Sequence, residues 1–403
     1  MTETTPVPLL EPAAGVPPVV TSGAALAAAI ASLCAGTGPV AVDTERASGY
    51  RYWQRAYLVQ LRREGTGTVL IDPINLDDMT GLADVLNPLE WVLHAASQDL
   101  PCLAELGLRP ASVFDTELAA RLAGLERVGL AALVEELLGY QLLKGHGAAD
   151  WSRRPLPAEW LTYAALDVEL LLPLRAAIIA ELGAQGKSGW AAEEFEAVRT
   201  AGPPPPRIDP WRRTSGMHRI QRPRELAAVR ELWLARDQLA RHRDIAPGRV
   251  LPDSAIVDAA LTDPADEAAL LARPVFSGRA QRRHAGIWLS ALSTARALPA
   301  DELPPLRAPN GGPPPVNRWT DRDPAAAVRL TAARAALVAI AERHRLPLQN
   351  LLSPDLVRRL CWEPPELLNT ATIERELIAG GARHWQRGLT VHPLTTALSA
   401  PVG

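Results

Sequence analysis

Two proline-rich interruptions most constrain what this 403-residue chain can build: Pro203-Pro204-Pro205-Pro206, and then Pro304-Pro305 followed by Gly311-Gly312 and Pro313-Pro314-Pro315. Proline runs act as semi-rigid spacers, and a chain of this length is too long for one hydrophobic core. Three folded parts are therefore expected, at 23–200, 217–298 and 318–400, with linkers at 201–216 and 299–317. Residues 1–22, rich in Thr, Pro, Val and Ala with no packed pattern, are expected to form a disordered tail. A hydrophobic content of 47% supports globular folding of the rest.

Within the first part, acidic residues recur at the ends of apolar runs. Val40-Ala41-Val42 reads as a buried strand whose end carries Asp43 and Glu45. Residues two apart in a strand share a face, so these two carboxylates can aim at one spot while Thr44 points away. Trp91 to Ala96 is a second strand-like run, and it stops at Asp99 before a helical pattern begins at Leu100. In Leu161 to Leu171 the apolar spacing is helical, which stacks Tyr163 and Asp167 on one face. A phenol beside a carboxylate is odd for a core stripe and natural for a site that holds a metal and a water.

Phosphodiester hydrolysis has a use for such a set. It develops negative charge on the attacking oxygen, the leaving oxygen and the phosphate, and two divalent cations about 4 Å apart answer all three. Mg²⁺ takes hard oxygen ligands, so carboxylates suffice and neither His nor Cys is required. Taken singly, each acid reads more readily as a solvated charge or a helix cap. Asp99 could be an N-cap, a role Ser97 would fill equally well. Asp115 reads as a cap with a supporting role near the site open to it. His94 reads as a hydrogen-bonded structural histidine.

The motifs Val42-Asp43-Thr44-Glu45, His94-Ala95-Ala96-Ser97-Gln98-Asp99-Leu100 and Tyr163-Ala164-Ala165-Leu166-Asp167-Val168 resemble, in order, the three exonuclease motifs of the ribonuclease D family, of the DEDDy type. Lys144 and the stretch Asp150-Trp151-Ser152-Arg153-Arg154-Pro155-Leu156 are similar to the segment that precedes the third motif there. The resemblance covers roughly residues 23 to 195. Ala149 departs from it, standing where many of these sequences carry a hydroxyl. The resemblance implies an α/β fold: an RNase H-like exonuclease domain, a mixed sheet flanked by helices, followed by all-α HRDC-type domains. It also implies that Asp43, Glu45, Asp99 and Asp167 are metal ligands for two Mg²⁺ or Mn²⁺ ions and that Tyr163 orients the attacking water. The partner it implies is RNA with a single-stranded 3′ end, such as a tRNA precursor; DNA is the alternative substrate, and a non-catalytic nucleic-acid scaffold is the alternative class. Lys144 and Arg154 are candidates for substrate phosphate.

Beyond the first proline run the chain reads as helices. Arg243-Asp244, Pro247 and Leu251-Pro252-Asp253 follow the order of the HRDC module, the small helical domain that ribonuclease D shares with some helicases. Arg345-Leu346-Pro347-Leu348-Gln349-Asn350-Leu351 resembles part of it, so 318–400 is expected to be a diverged second copy. Residues 1–200 carry an acidic excess and the remainder a basic one, within a net charge of −3; an acidic half suits a metal site and a basic half suits phosphate. Arg219, Arg222 and Arg224, with the cluster Arg279, Arg282 and Arg283, are the candidate strand guides. Trp233 and Trp288, at helical spacing, are expected in the core. Cys34, Cys102 and Cys361 form neither a disulfide framework nor a zinc pattern, which fits a reducing cytoplasm. No charged leader opens the chain and no apolar run is read as a membrane span, so a cytoplasmic monomer without a membrane partner is expected.

Overall fold

The computed structural model describes residues 6–142, 145–203, 205–306 and 312–399. Among the described residues, eight strands lie in the first part: β1 (Val7–Leu9), β2 (Val19–Val20), β3 (Thr37–Arg46), β4 (Ala56–Glu64), β5 (Gly67–Ile71), β6 (Glu90–Leu93), β7 (Ser112–Asp115) and β8 (Tyr140–Leu142). Six of them form one mixed sheet in the order β2-β5-β4-β3-β6-β7, antiparallel where the hairpin strands β3, β4 and β5 meet and parallel from β3 outward through β6 to β7. The expected α/β domain with a mixed, helix-flanked sheet is thus present.

Strand alternation in β3 places its side chains on both faces. Val40 and Val42 enter a core with Leu26, Ala29 and Leu33 of the helix Gly23–Ala35. Ala41 enters the opposite core with Val92, Phe114 and Leu166. The helix itself starts where Ser22 accepts a backbone bond from Ala25, and its three buried residues recur at helical spacing. Burial of each leucine contributes roughly 2 kcal/mol.

The expected tail requires a correction. β1 pairs in parallel with β8, and β2 adds to the edge of the main sheet beside β5. Strands of two and three residues show no periodic pattern, and their partners lie far along the chain, so only tertiary pairing reveals them.

The linkers are also more structured than spacers. Trp211, at the end of the first one, is buried in the core of the helical part that follows. The carbonyl of Pro314 accepts from the Trp319 indole, so the second linker is tied to the last part.

The two helical parts run through the same order of elements. In the first, a 21-residue helix Pro223–Arg243 ends at left-handed Asp244 and is followed by a turn, Pro247–Val250, and a helix, Asp253–Thr262. In the second, a 21-residue helix Pro324–His344 ends at left-handed Arg345 and is followed by Leu348–Leu351 and Pro354–Trp362. The helix Pro324–His344 is long and apolar enough to cross a bilayer, yet its Ala326, Leu330, Ala333, Leu337 and Ile340 are buried in the protein core. Trp288 is buried in the core of the first helical part, as expected, while Trp233 packs against that core half-buried.

The sheet domain holds a helical part at each of two places. The last part joins its core: the rings of Trp190 and Trp385 stack 4.8 Å apart, Trp385 donates to Glu194, and Lys187 Nζ donates to the carbonyls of Leu122 and His344. The first helical part docks on the β3–β4 loop, where the backbone N–H groups of Tyr52 and Trp53 donate to Asp244.

Candidate active site

β3 is central, and β6 pairs with it only at Val40 and Ala41. Beyond that point β3 continues while β6 ends at Leu93, so Asp43 and Glu45 project past the end of their neighbour. The helix Ala158–Glu169 packs across β3, β4 and β5 and brings Asp167 over the same edge. One ligand oxygen from each of Asp43, Glu45 and Asp167 lies within 4.8 Å of the others. The sequence expectation that these three converge is met by geometry.

Their electrostatics are those of crowded carboxylates withdrawn from water. Burial, then the nearby carboxylates Asp99 and Asp167, push the Asp43 carboxyl well above its ordinary range. Burial, then Asp43, Asp167 and Asp99, push Glu45 up to about 10. Burial raises Asp167 to about 7, while a hydrogen bond from the Tyr163 hydroxyl works the other way. Burial and the surrounding carboxylates raise Tyr163 as well, so it remains a neutral phenol at ordinary pH. Buried carboxylates that repel one another are stabilised by a cation among them. An all-oxygen set of three fits a hard divalent ion rather than zinc or copper. The residues present therefore fit the metal.

Asp99 is held differently. It occupies the N-cap position of the helix Leu100–Glu105 but accepts no capping bond. Instead the Thr44 hydroxyl donates to its Oδ1 at 2.7 Å, and the Arg46 guanidinium stands 3.8 Å away. Burial raises this carboxyl to about 6, against the pull of Thr44 and Arg46. Asp99 is near enough to Asp43 to raise it, yet is not part of the group of three. Thr44, which strand alternation turns away from its neighbours, is thus a positioning residue.

Asp115, set aside from the ligands on the sequence, has a clear task. Its buried carboxylate accepts from the backbone N–H groups of Glu117 and Leu118, capping the helix Thr116–Ala123, and also from those of Ala95 and Ala96. Ala95 adopts the left-handed conformation, φ 59°, which costs a residue with a Cβ about 1 kcal/mol or more. Asp115 holds that turn, and the turn directs the chain into Asp99. His94 is structural as expected: its Nδ1 lies 2.9 Å from Thr116 Oγ1, whose hydroxyl donates to Leu93 O, so Nδ1 carries the proton. Burial lowers this imidazole to about 4.

A cavity of about 250 Å³ opens beside Glu45, lined by Thr44, Arg46, Ser48, Gly49, Gly147, Ala148 and Ala149. The lining from 147 to 149 follows Lys144, which itself lies outside the described residues. Ser48 and Gly49 carry no signal in the sequence, because a loop residue gains a role only from what folds next to it.

Arg154 calls for a correction. Its Nε and Nη2 both bond the carboxylate of Asp72, at 2.6 and 2.8 Å, and its remaining donors reach the carbonyls of Tyr57, Trp151 and Arg153. Asp72 is 2% exposed; a buried carboxylate demands a bidentate partner, and this satisfies it. The guanidinium is therefore committed to structure. Arg222 and Arg224 are likewise spent, on Glu225 and on the carbonyls that end the helix Ala285–Ala297. Arg282 and Arg283 are exposed, and Arg282 donates to Ser277 O.

Residues 18–182 match a family profile described as 3'-5' exonuclease, and 225–292 match the HRDC domain. Residues 312–398 match a further profile, the 3' to 5' exonuclease C-terminal domain. A curated ribonuclease D from Gluconacetobacter diazotrophicus is 32% identical over 81% of this chain and 82% of its own length. The chain belongs to the ribonuclease D family. It is a metal-dependent exonuclease of 3′–5′ polarity. Among solved structures, a protein from Bifidobacterium adolescentis superposes with a TM-score of 0.89 at 37% identity, over 98% of this chain and all of the other. Escherichia coli RNase D, described as an exoribonuclease involved in structured RNA processing, superposes at 0.69 with 28% identity, over 94% and 98% of the two chains.

Proposed function

We propose that this ribonuclease D family member trims RNA from single-stranded 3′ ends, releasing 5′-mononucleotides, and that its substrates are structured RNAs such as tRNA precursors. The observation that carries this reading is the convergence of Asp43, Glu45 and Asp167 within 4.8 Å, with Glu45 in the wall of the cavity. Asp43, Glu45 and Asp167 would hold one divalent ion, Mg²⁺ or Mn²⁺, and Asp43 with Asp99 a second. When bound, such ions lend Lewis acidity to the scissile phosphate and lower the pKa of the attacking water.

The chain's own residues supply the rest. The neutral Tyr163 hydroxyl, one helical turn before Asp167, offers a hydrogen bond that orients the water for in-line attack. The water oxygen bonds to phosphorus as the bond to the 3′ oxygen of the preceding nucleotide breaks; that oxygen takes up a proton, and the released nucleotide keeps the phosphate on its 5′ side. Thr44 and Asp115 fix Asp99, so the carboxylate need not reorganise during the reaction.

The test incubates purified protein with matched RNA and DNA single strands and Mg²⁺ or Mn²⁺, beside Asp43→Ala and Tyr163→Phe. Stepwise mononucleotide release from RNA, abolished in Asp43→Ala and reduced in Tyr163→Phe, is expected. Preference for DNA, or binding without release, would overturn the proposal.

A further inference from the structure

Trp53 is an anomaly: a tryptophan at the boundary between two domains that remains 45% exposed. A tryptophan in such a place ordinarily buries its ring in the contact. Here the backbone is pinned and the ring is left out. The N–H groups of Tyr52 and Trp53 both donate to Asp244 of the HRDC domain at 3.1 Å. The same domain donates from Ala246 N to Tyr50 O and from Arg249 Nε to Gly49 O at 2.7 Å, with the Arg249 guanidinium 3.9 Å above the Tyr50 ring.

This loop is also the wall of the active-site cavity. Gly49 and Ser48 line the cavity, and the Ser48 hydroxyl donates to the side chain of Gln54, next to Trp53. The exposed ring therefore follows the cavity-lining Ser48 and Gly49 by a few residues along the chain, on backbone hydrogen-bonded to the HRDC domain.

The surroundings are basic. Arg241, largely exposed, places its guanidinium 5.9 Å from the Trp53 ring centre and 5.6 Å from that of Tyr52. Arg55 is exposed beside them, and at the end of the same HRDC helix Arg243 contacts His284, the neighbour of exposed Arg283. Asp244 accepts the two loop N–H groups, and Asp237 accepts from the Tyr52 hydroxyl and stands 3.9 Å from Arg241, whose Nε and Nη2 reach that hydroxyl at 3.3 Å and leave its remaining donors and most of its side chain in solvent.

We propose that Trp53 and Arg241 form a subsite for single-stranded nucleic acid upstream of the scissile bond, Trp53 stacking one base and Arg241 contacting phosphate, with HRDC docking as the device that presents them. The inference rests on the exonuclease reading for its orientation along the strand. Stacking on an aromatic ring accepts every base, because each has a π-face, which suits an enzyme that must advance along any sequence.

The decisive measurement is fluorescence anisotropy of a labelled single strand of about 12 nucleotides, within the range such surfaces track, in EDTA so that no turnover intervenes. Trp53→Ala is expected to weaken binding by about tenfold and Arg241→Gln by several-fold, while Trp53→Phe, which keeps a stacking face, stays within about threefold. In turnover with Mg²⁺, Trp53→Ala should raise KM more than it lowers kcat, and cost less on a dinucleotide than on the long strand. Equal dissociation constants for wild type and Trp53→Ala would overturn the subsite. If Trp53→Ala fails to fold, Trp53→Phe and Arg241→Gln carry the test, and wild-type affinity in Arg241→Gln would overturn the subsite. Weakened binding by Trp53→Ala in a protein that releases no nucleotide would instead overturn the exonuclease reading and leave the subsite standing.

Discussion

The Thr44 hydroxyl donates a 2.7 Å hydrogen bond to Asp99, across the gap between a strand and the turn that follows its neighbour. The bond favours the charged form of Asp99 against the burial that raises it to about 6. Thr44→Val keeps the shape and removes the donor, so the Asp99 pKa rises. The acid limb of the pH–rate profile should move upward by about one unit, since a hydrogen bond to a charged group contributes about 1.5 kcal/mol. A profile superimposable on wild type would show that Asp99 does not depend on Thr44.

The carboxylate cluster makes stability depend on pH and metal together. A carboxyl whose folded pKa is raised stabilises the fold at pH below its unfolded value and loses that contribution as pH rises through the folded value. For Asp167 and Glu45 that loss runs from the ordinary range near 4 up through about 7 and about 10. Metal-free protein should therefore melt lower as pH rises through neutrality. Added Mg²⁺ should restore the loss, by about 2.7 kcal/mol at a hundredfold excess over Kd. Glu45→Gln should flatten the pH dependence and blunt the response to Mg²⁺ in thermal melts with and without EDTA.

His94 acts in the opposite window. Its folded pKa, lowered to about 4 from 6.5, means that the unfolded chain binds more protons between those values. Stability should fall by up to about 3 kcal/mol as pH drops through that range. His94→Asn, compared by urea denaturation at several pH values, should lose most of that slope.

Arg154→Ala separates structure from substrate contact. It strands the buried carboxylate of Asp72 and should cost about 3 kcal/mol of stability, read as a lowered denaturation midpoint. A raised KM for RNA with unchanged stability would return Arg154 to the substrate.

Asp115→Ala removes the acceptor of four backbone N–H groups. A loss of about 3 kcal/mol is expected from the cap and the buried donors left unpaired, together with a fall in kcat as the turn at Ala95 slackens. Rescue of both by Asp115→Asn, which keeps one acceptor oxygen, should be partial.

The amino-acid sequence by itself determined that Asp43 and Glu45 share a strand face and that Tyr163 and Asp167 share a helix face. Those are local properties, set by strand alternation and by helical spacing, whereas the mixed α/β first domain and the meeting of Asp167 with the strand pair were implied by the resemblance of the motifs to the ribonuclease D family. Tertiary structure alone decided that residues 7–9 and 19–20 are strands, because so short a strand exists only through its partner's hydrogen bonds. It also decided the fate of the charged side chains. Nothing around Arg154 in the sequence names Asp72 as its partner, and nothing around Asp115 names Ala95 and Ala96. Nor does the loop at Tyr52 and Trp53 reveal that Asp244, in another domain, will hold it. A charge is free or committed according to what the fold brings within hydrogen-bonding distance, and that distance is not written along the chain.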